Sequence, residues 1–232
     1  MPYLQREGAV FVLNLGEEGR TDTENRFSPE LLAVMSELLD EVEASSGDAA
    51  LVTTGTGKFY SNGLDLDWLG AHGDQAASYV GTIQSLFSRI LTFPMVTVAA
   101  LQGHTFAGGA MLAVAHDAKV MRADRGFLCF PEVDIHIPFT LGMAALLQGR
   151  LSKATAHTAM TTGRRYGGSD ALAAGIVDET ADEGDVLEHA VARAQGLAGK
   201  RGDTIAAIKQ AMYAPAVAAL ADLSGLSFGG DV

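Results

Sequence analysis

The sequence predicts an α/β fold with helices layered over strands, and three observations carry that expectation. Short apolar runs alternate with segments whose apolar residues recur every three or four positions, from residue 10 to about residue 137. The runs are apolar at consecutive positions, which points to strands buried on both faces. Beyond residue 138 the pattern turns to helices separated by Gly163, Gly167-Gly168 and Gly175.

Each element has its local reason. Met1 to Glu7 enters an alternating strand-like run, and Val10 to Leu15 reads as a strand. Ser28-Pro29-Glu30 supplies an N-cap hydroxyl and then a proline whose fixed φ suits the first helical position. A helix to about Glu43 follows, with Leu32, Met35, Leu39 and Val42 on one face. Ala50 to Thr54 is a second strand, ended by Gly55-Thr56-Gly57. Ala76 to Leu91 is helical, turns Ile83, Leu86, Phe87 and Ile90 inward, and stops before Pro94. A buried strand from Val96 to Leu101 runs into Gly103-His104-Thr105-Phe106-Ala107-Gly108-Gly109, which opens a short helix to about Ala115; Lys119 to Met121 is the next strand. Further helices span Asp185 to Leu197 and start again at Asp203. With no fixed-period repeat and no low-complexity linker, the chain divides into a core over 1–180 that carries the site and a helical region over 181–232. Gly229 to Val232 is expected to fray.

Composition narrows the function. At 232 residues, 48% hydrophobic and 19% charged, the chain can build one sizeable core. A net charge of −12 argues against nucleic acid and anionic membrane, which attract clustered Lys and Arg. No apolar run reaches the roughly 18 residues that span a bilayer. The single Cys129 cannot form an internal disulfide, which suits a reducing compartment, and no secretory leader is visible, so a cytoplasmic protein is expected.

Two loops share a design that bears chemistry. Phe59-Tyr60-Ser61-Asn62-Gly63-Leu64-Asp65-Leu66 follows one strand, and Ala107-Gly108-Gly109 follows another. A helix's first N–H groups have no intrahelical acceptor and carry the positive end of the macrodipole, and glycine lets an oxygen come close. Two such donors converging on one oxygen would stabilise an enolate, each worth about 3–4 kcal/mol by removal in other enzymes. An ordinary turn is the plain alternative for either loop alone. Glu132 lies in Phe130-Pro131-Glu132-Val133-Asp134-Ile135, where apolar neighbours would raise its pKa and make it a better base. Pairing with Arg150 or Arg125 is the competing role, and Asp134, two residues on, is the reserve base if the segment is a strand. Asp65 and Asp67 are expected to cap the helix after Gly63; with no further carboxylate or histidine at ligand spacing, no metal site is expected. His104 and His116-Asp117 read as structural, and Gly55-Thr56-Gly57-Lys58 lacks the spacing of a phosphate loop.

Together and in this order, Ser61-Asn62-Gly63-Leu64-Asp65-Leu66, Gly103-His104, Ala107-Gly108-Gly109, His116-Asp117 and Arg122 to Leu128 resemble the enoyl-CoA hydratase/isomerase (crotonase) superfamily. Within it they look most like the Δ3,Δ2-enoyl-CoA isomerases. The resemblance runs from the first strand to about Lys209. It implies a crotonase-like spiral of ββα units with a helical C-terminal region, a homotrimer or dimer of trimers touching through C-terminal helices, and an acyl-CoA substrate with no separate cofactor. It implies that the Leu64 and Gly108 N–H groups hold the thioester oxygen, that Asn62, Gly63 and Asp65 line the CoA path, that Lys58 or a neighbour's Lys209 meets a CoA phosphate, and that Glu132 is the base.

Hydratases of the superfamily carry a glutamate at the position of Met111 and a second at Glu132. Hydration divides its proton transfers between two carboxylates around one water, whereas moving a double bond from C3 to C2 needs one base. Met111 as an ordinary gap-filler is compatible with either reading. The expected reaction is isomerisation of 3-enoyl-CoA to trans-2-enoyl-CoA, which feeds unsaturated fatty acids into β-oxidation. Hydration, decarboxylation or thioester hydrolysis by the same fold, and an idle CoA-binding paralogue, are the rivals.

Overall fold

The computed structural model describes residues 1–224, in which strand pairs alternate with helices as the resemblance implies. The chain runs β1 (Tyr3–Glu7), β2 (Val10–Asn14), α1 (Pro29–Ala44), β3 (Ala50–Thr54), β4 (Phe59–Ser61), α2 (Leu66–Ala71) and α3 (Ala76–Leu91). It continues through β5 (Val96–Leu101), β6 (His104–Phe106), α4 (Gly108–Ala115), β7 (Ala118–Arg122), β8 (Leu128–Cys129) and α5 (Leu141–Arg150). The remainder is α6 (Lys153–Thr162), α7 (Gly168–Ala173), β9 (Glu179–Ala181), α8 (Val186–Gln195) and α9 (Asp203–Ala221). Ser28 accepts from the Leu31 N–H as the expected N-cap of α1.

The second strand of each later pair forms a sheet of its own. The larger sheet has order β1-β2-β3-β5-β7-β9, parallel except for β1, and the smaller has order β4-β6-β8, all parallel. The sequence reading lacked β4, β6 and β8, each of two or three residues and too short for a periodic signal.

The continuous apolar runs have the predicted cause. Phe11, Leu13, Leu51, Ala99 and Leu101 face the main core with the α1 and α3 side chains. Val10, Val12, Ala50, Val52, Val98 and Ala100 face the opposite core, sealed by Val186, Ala190 and Ala194 of α8. A division near residue 180 therefore runs through β9, which pairs with β7. The expected fraying at 229–232 lies outside the described residues.

The C-terminal helix corrects two expectations. Lys209, considered for a CoA phosphate, is only 4% exposed; its Nζ donates to the Phe93 and Met95 carbonyls and lies 2.6 Å from Asp117 Oδ2. It fastens α9 to its own core and cannot reach a neighbour's ligand. Contrary to the statement that no apolar run is long enough to span a bilayer, α9 has 19 residues and a mean hydropathy of 1.2, enough by length and composition. Its one internal charge is that buried lysine, and the helix packs on α5 and α3.

Candidate active site

The β4-β6-β8 sheet explains why three distant loops meet. Ser61 pairs with Thr105 and Phe106 with Cys129, so parallel strands end side by side and deliver Asn62-Gly63-Leu64, Ala107-Gly108 and Pro131-Glu132 to one place. They border a cavity of about 330 Å³ whose wall includes Asn62, Leu64, Ala107, Met111 and Glu132. Apolar side chains such as Leu66, Val80, Phe106, Ile137 and Met143 make up much of the remainder.

Two glycines are required by contact. A Cβ on Gly63, which has φ +82°, would stand 2.7 Å from the Gly108 nitrogen. One on Gly109 would stand 2.6 Å from the Ser61 carbonyl oxygen. The loops pack backbone against backbone, and this brings their amides together. Among the described residues neither the Leu64 N–H nor the Gly108 N–H has a hydrogen-bond partner, while their neighbours are engaged: the Gly63 carbonyl accepts from the Phe27 N–H, and the Asp65 N–H donates to Tyr79. Ala107, at φ 49° and ψ −123°, is a non-glycine residue held in a strained conformation directly before Gly108, and its ψ sets the direction of that peptide.

Glu132 is buried at 6% exposure, and its Oε2 has no hydrogen-bond partner among the described residues. Desolvation raises its pKa from the ordinary 4.5 to about 7, a rise limited by its own backbone N–H. The alternative of an ion pair fails. Arg150 is spent on the carbonyls of Val114 and His116 and on Tyr213, and the exposed Arg125 makes no salt bridge with Glu132. Asp134 is a further correction. β8 ends at Cys129, and Pro131 to Ile137 is a turn in which the Pro131 carbonyl accepts from Asp134 and Ile135. Asp134 is thereby exposed beside Gly163 and does not share Glu132's face.

The other candidates separate. Asn62 lines the cavity, its Nδ2 bonded to Glu24. Gly63 lies within the wall loop, and Asp65 caps α2 by accepting from the Trp68 N–H. Lys58 stands outside the cavity wall, its ammonium 5.2 Å from the Phe59 ring centroid. His104 packs among Phe59, Phe106 and Phe127, and the buried His116 bonds Thr53 and the Leu112 carbonyl, its pKa pushed down to about 3 by desolvation. Among the described residues no group of His, Cys, Asp or Glu is disposed to hold a metal ion.

Sequence reading passed over Arg26 at the cavity wall, bridged to Glu24 at 2.6 Å and to Asp67 of α2 at 2.7 Å. Its only signal was the cluster of charges Glu24, Arg26 and Asp67, the first two in the loop before α1 and the third in the first turn of α2. It also passed over Thr140, which caps α5 and lines the cavity.

The chain has relatives among known proteins. Residues 6–226 match the family model described as enoyl-CoA hydratase/isomerase. The chain is 35% identical to enoyl-CoA delta isomerase 3 of Arabidopsis thaliana over 95% of each chain. It is 34% identical to a putative enoyl-CoA hydratase of Thermus thermophilus over 90% of this chain and 82% of that one. Human mitochondrial Δ3-Δ2-enoyl-CoA isomerase superposes with a TM-score of 0.84 at 23% identity, covering 94% of this chain and 84% of that one, a likeness of fold. The fold is the crotonase fold, and the chain belongs to the enoyl-CoA hydratase/isomerase family.

Proposed function

We propose that this protein is a Δ3,Δ2-enoyl-CoA isomerase working through one base. The observation that carries the reading is a single desolvated carboxylate, Glu132, on a cavity whose wall has Met111 where hydration would need a second. The other carboxylate on that wall, Asp67, is 88% exposed and committed to Arg26.

The thioester oxygen of a 3-enoyl-CoA is held by the Leu64 and Gly108 N–H groups. Charge that develops there as C2 loses its proton is met by fixed dipoles. Glu132 takes the C2 proton, the electron pair delocalises into a dienolate, and the same carboxyl returns the proton at C4 to leave a trans double bond between C2 and C3. The pKa of about 7 places the base near the pH of its work. CoA takes part as a portion of the substrate, and the scheme needs no other cofactor. Similarity to the Arabidopsis delta isomerase supports this choice, while similarity to the Thermus putative hydratase keeps hydration as the second reading.

A homotrimer or dimer of trimers is part of the proposal. α9 presents Ile208 at 53% and Met212 at 62% exposure, apolar surface suited to contact between copies.

Product analysis of separate incubations with 3-enoyl-CoA and trans-2-enoyl-CoA tests the reading. Conversion of the first to the second without appreciable 3-hydroxyacyl-CoA is expected, and rapid hydration of the second would overturn it.

A further inference from the structure

The direction of the Leu64 N–H is set from the other end of its own peptide. In a planar trans peptide the N–H and C=O point opposite ways, so whatever holds the Gly63 carbonyl oxygen also aims the Leu64 N–H. That oxygen accepts from the Phe27 N–H at 2.8 Å. Phe27 belongs to a segment running beside the loop: the Asn62 N–H donates to the Glu24 carbonyl at 2.9 Å, and Phe27 and Leu64 pair as a parallel bridge. The next rung of that bridge, from the Asp65 N–H to the Phe27 carbonyl, passes through a side chain of α3. The Tyr79 hydroxyl accepts from the Asp65 N–H at 2.8 Å and donates to the Phe27 carbonyl at 2.7 Å. Phe27 also touches the second donor residue, since a Cβ on Gly108 would stand 3.3 Å from Phe27 Cε2. Tyr79 itself is 4% exposed and lies outside the cavity wall, its ring tilted against that of Trp68 with centroids 4.9 Å apart. Burial pushes its hydroxyl up to about 12, so it keeps its proton and remains a donor at neutral pH.

We infer that Tyr79 is a positioning residue for the oxyanion pair, its hydroxyl tying Asp65 to Phe27 so that the Leu64 N–H between them stays aimed at the thioester oxygen. Without the hydroxyl, the Asp65 N–H and the Phe27 carbonyl either lose their partners or close on one another across the space it fills. Either outcome turns the peptides that flank Leu64. The inference rests on the reading of the Leu64 and Gly108 amides as the holders of that oxygen, and adds the residue behind the wall that sets their geometry.

Tyr79→Phe keeps the ring and removes only the hydroxyl, and emission from Trp68, the chain's one tryptophan, reports whether the ring packing survives. On 3-enoyl-CoA the variant should lose about 10-fold or more in kcat, because an oxyanion donor acts only when it is placed to within an ångström. KM should stay within about threefold, since Tyr79 touches none of the cavity. The direct readout is the infrared stretch of a saturated acyl-CoA labelled with ¹³C at the thioester carbonyl. Bound to the wild type, that stretch should lie below its value for the ester free in solution, and in Tyr79→Phe it should move back toward the free value. Lys209→Met, which weakens the fold away from the site, should leave both kcat and the stretch in place. A stretch as low in Tyr79→Phe as in the wild type, an unchanged kcat, or an equal loss of both signals in Lys209→Met would each overturn the inference. If the wild type isomerises nothing yet its carbonyl shift is relieved by Tyr79→Phe, the isomerase reading fails and the positioning role stands. An unshifted stretch in the wild type would remove the oxyanion pair and this inference together.

Discussion

Replacing Glu132 by glutamine removes one proton-accepting site while keeping the side chain's shape, and its effects on turnover and stability have opposite signs. Burial carries the carboxyl from 4.5 to about 7, with desolvation the main cause and only its own backbone N–H opposing it. That displacement corresponds to about 3 kcal/mol against the ionised folded form. The folded state holds the proton more tightly than the unfolded chain, so between pH 4.5 and 7 the native protein binds more protons and loses this stability as pH rises. Below about pH 4.5 the acid is neutral in both states and the contribution vanishes. Glu132→Gln should therefore match the wild type near pH 4.5 and exceed it by about 3 kcal/mol at pH 8, roughly 6–12 °C in Tm for a chain of this size. Turnover should fall on the order of 10²–10⁴-fold, the usual contribution of a positioned base. Wild-type kcat/KM should climb about tenfold per pH unit below 7 and level above it, as the base loses its proton. Calorimetric melting of both proteins at pH 5 and pH 8, beside rates on 3-enoyl-CoA, reads all of this. A variant no more stable at pH 8, or one that turns over like the wild type, would refute the assignment.

Other expectations follow from the same contacts. Met111→Glu puts a second buried carboxylate on the cavity wall, so hydration of trans-2-enoyl-CoA should become detectable and isomerisation should decline; an unchanged product distribution would remove Met111 from the argument. Gly63→Ala forces a Cβ to 2.7 Å from the Gly108 nitrogen at a φ of +82°. It should cost about 1–3 kcal/mol in denaturant unfolding and lower kcat by spreading the two amides, and a native-like kcat would show that they do not act as a pair. Lys209→Met strands Asp117 beside the Thr97 N–H and should destabilise the fold by about 3 kcal/mol without changing KM for the CoA ester. A large rise in KM with stability kept would restore Lys209 to ligand binding.

The large elements were legible because each carried a period or a punctuation mark. α1 had its Ser28-Pro29 start, and α3 had its inward apolar stripe and Pro94 beyond it. The β3 and β5 strands stood out as runs that the fold buries on both faces. The short β4, β6 and β8 strands were not legible, because two or three residues cannot display alternation. That loss mattered for Asp134: reading Phe130 to Ile135 as a strand put it beside Glu132, whereas the chain turns at Pro131 and sends it outward. Leu64, Gly108 and Glu132 were named through glycine chemistry, local apolarity and family pattern, and the small parallel sheet shows why the loops that carry them end side by side. Charge alone misled at Lys209, because a lysine in a helical pattern looks exposed unless its partner, Asp117, is known to lie beneath it. Arg26 left only a cluster of neighbouring charges and Thr140 no readable signal, since their place in the wall depends on how α2 and α5 pack.

The central claim is one base carrying one proton across one face, and the fate of a label tests it most directly. Wild-type enzyme in ordinary water is given 3-enoyl-CoA deuterated at C2, and the trans-2-enoyl-CoA formed in the first turnovers is examined by mass spectrometry and NMR. Because Glu132 is buried and 6% exposed, its deuteron exchanges slowly with solvent, and a measurable fraction of product should carry deuterium at C4. Product in which C4 has gained only solvent hydrogen from the first turnover onward would contradict the account.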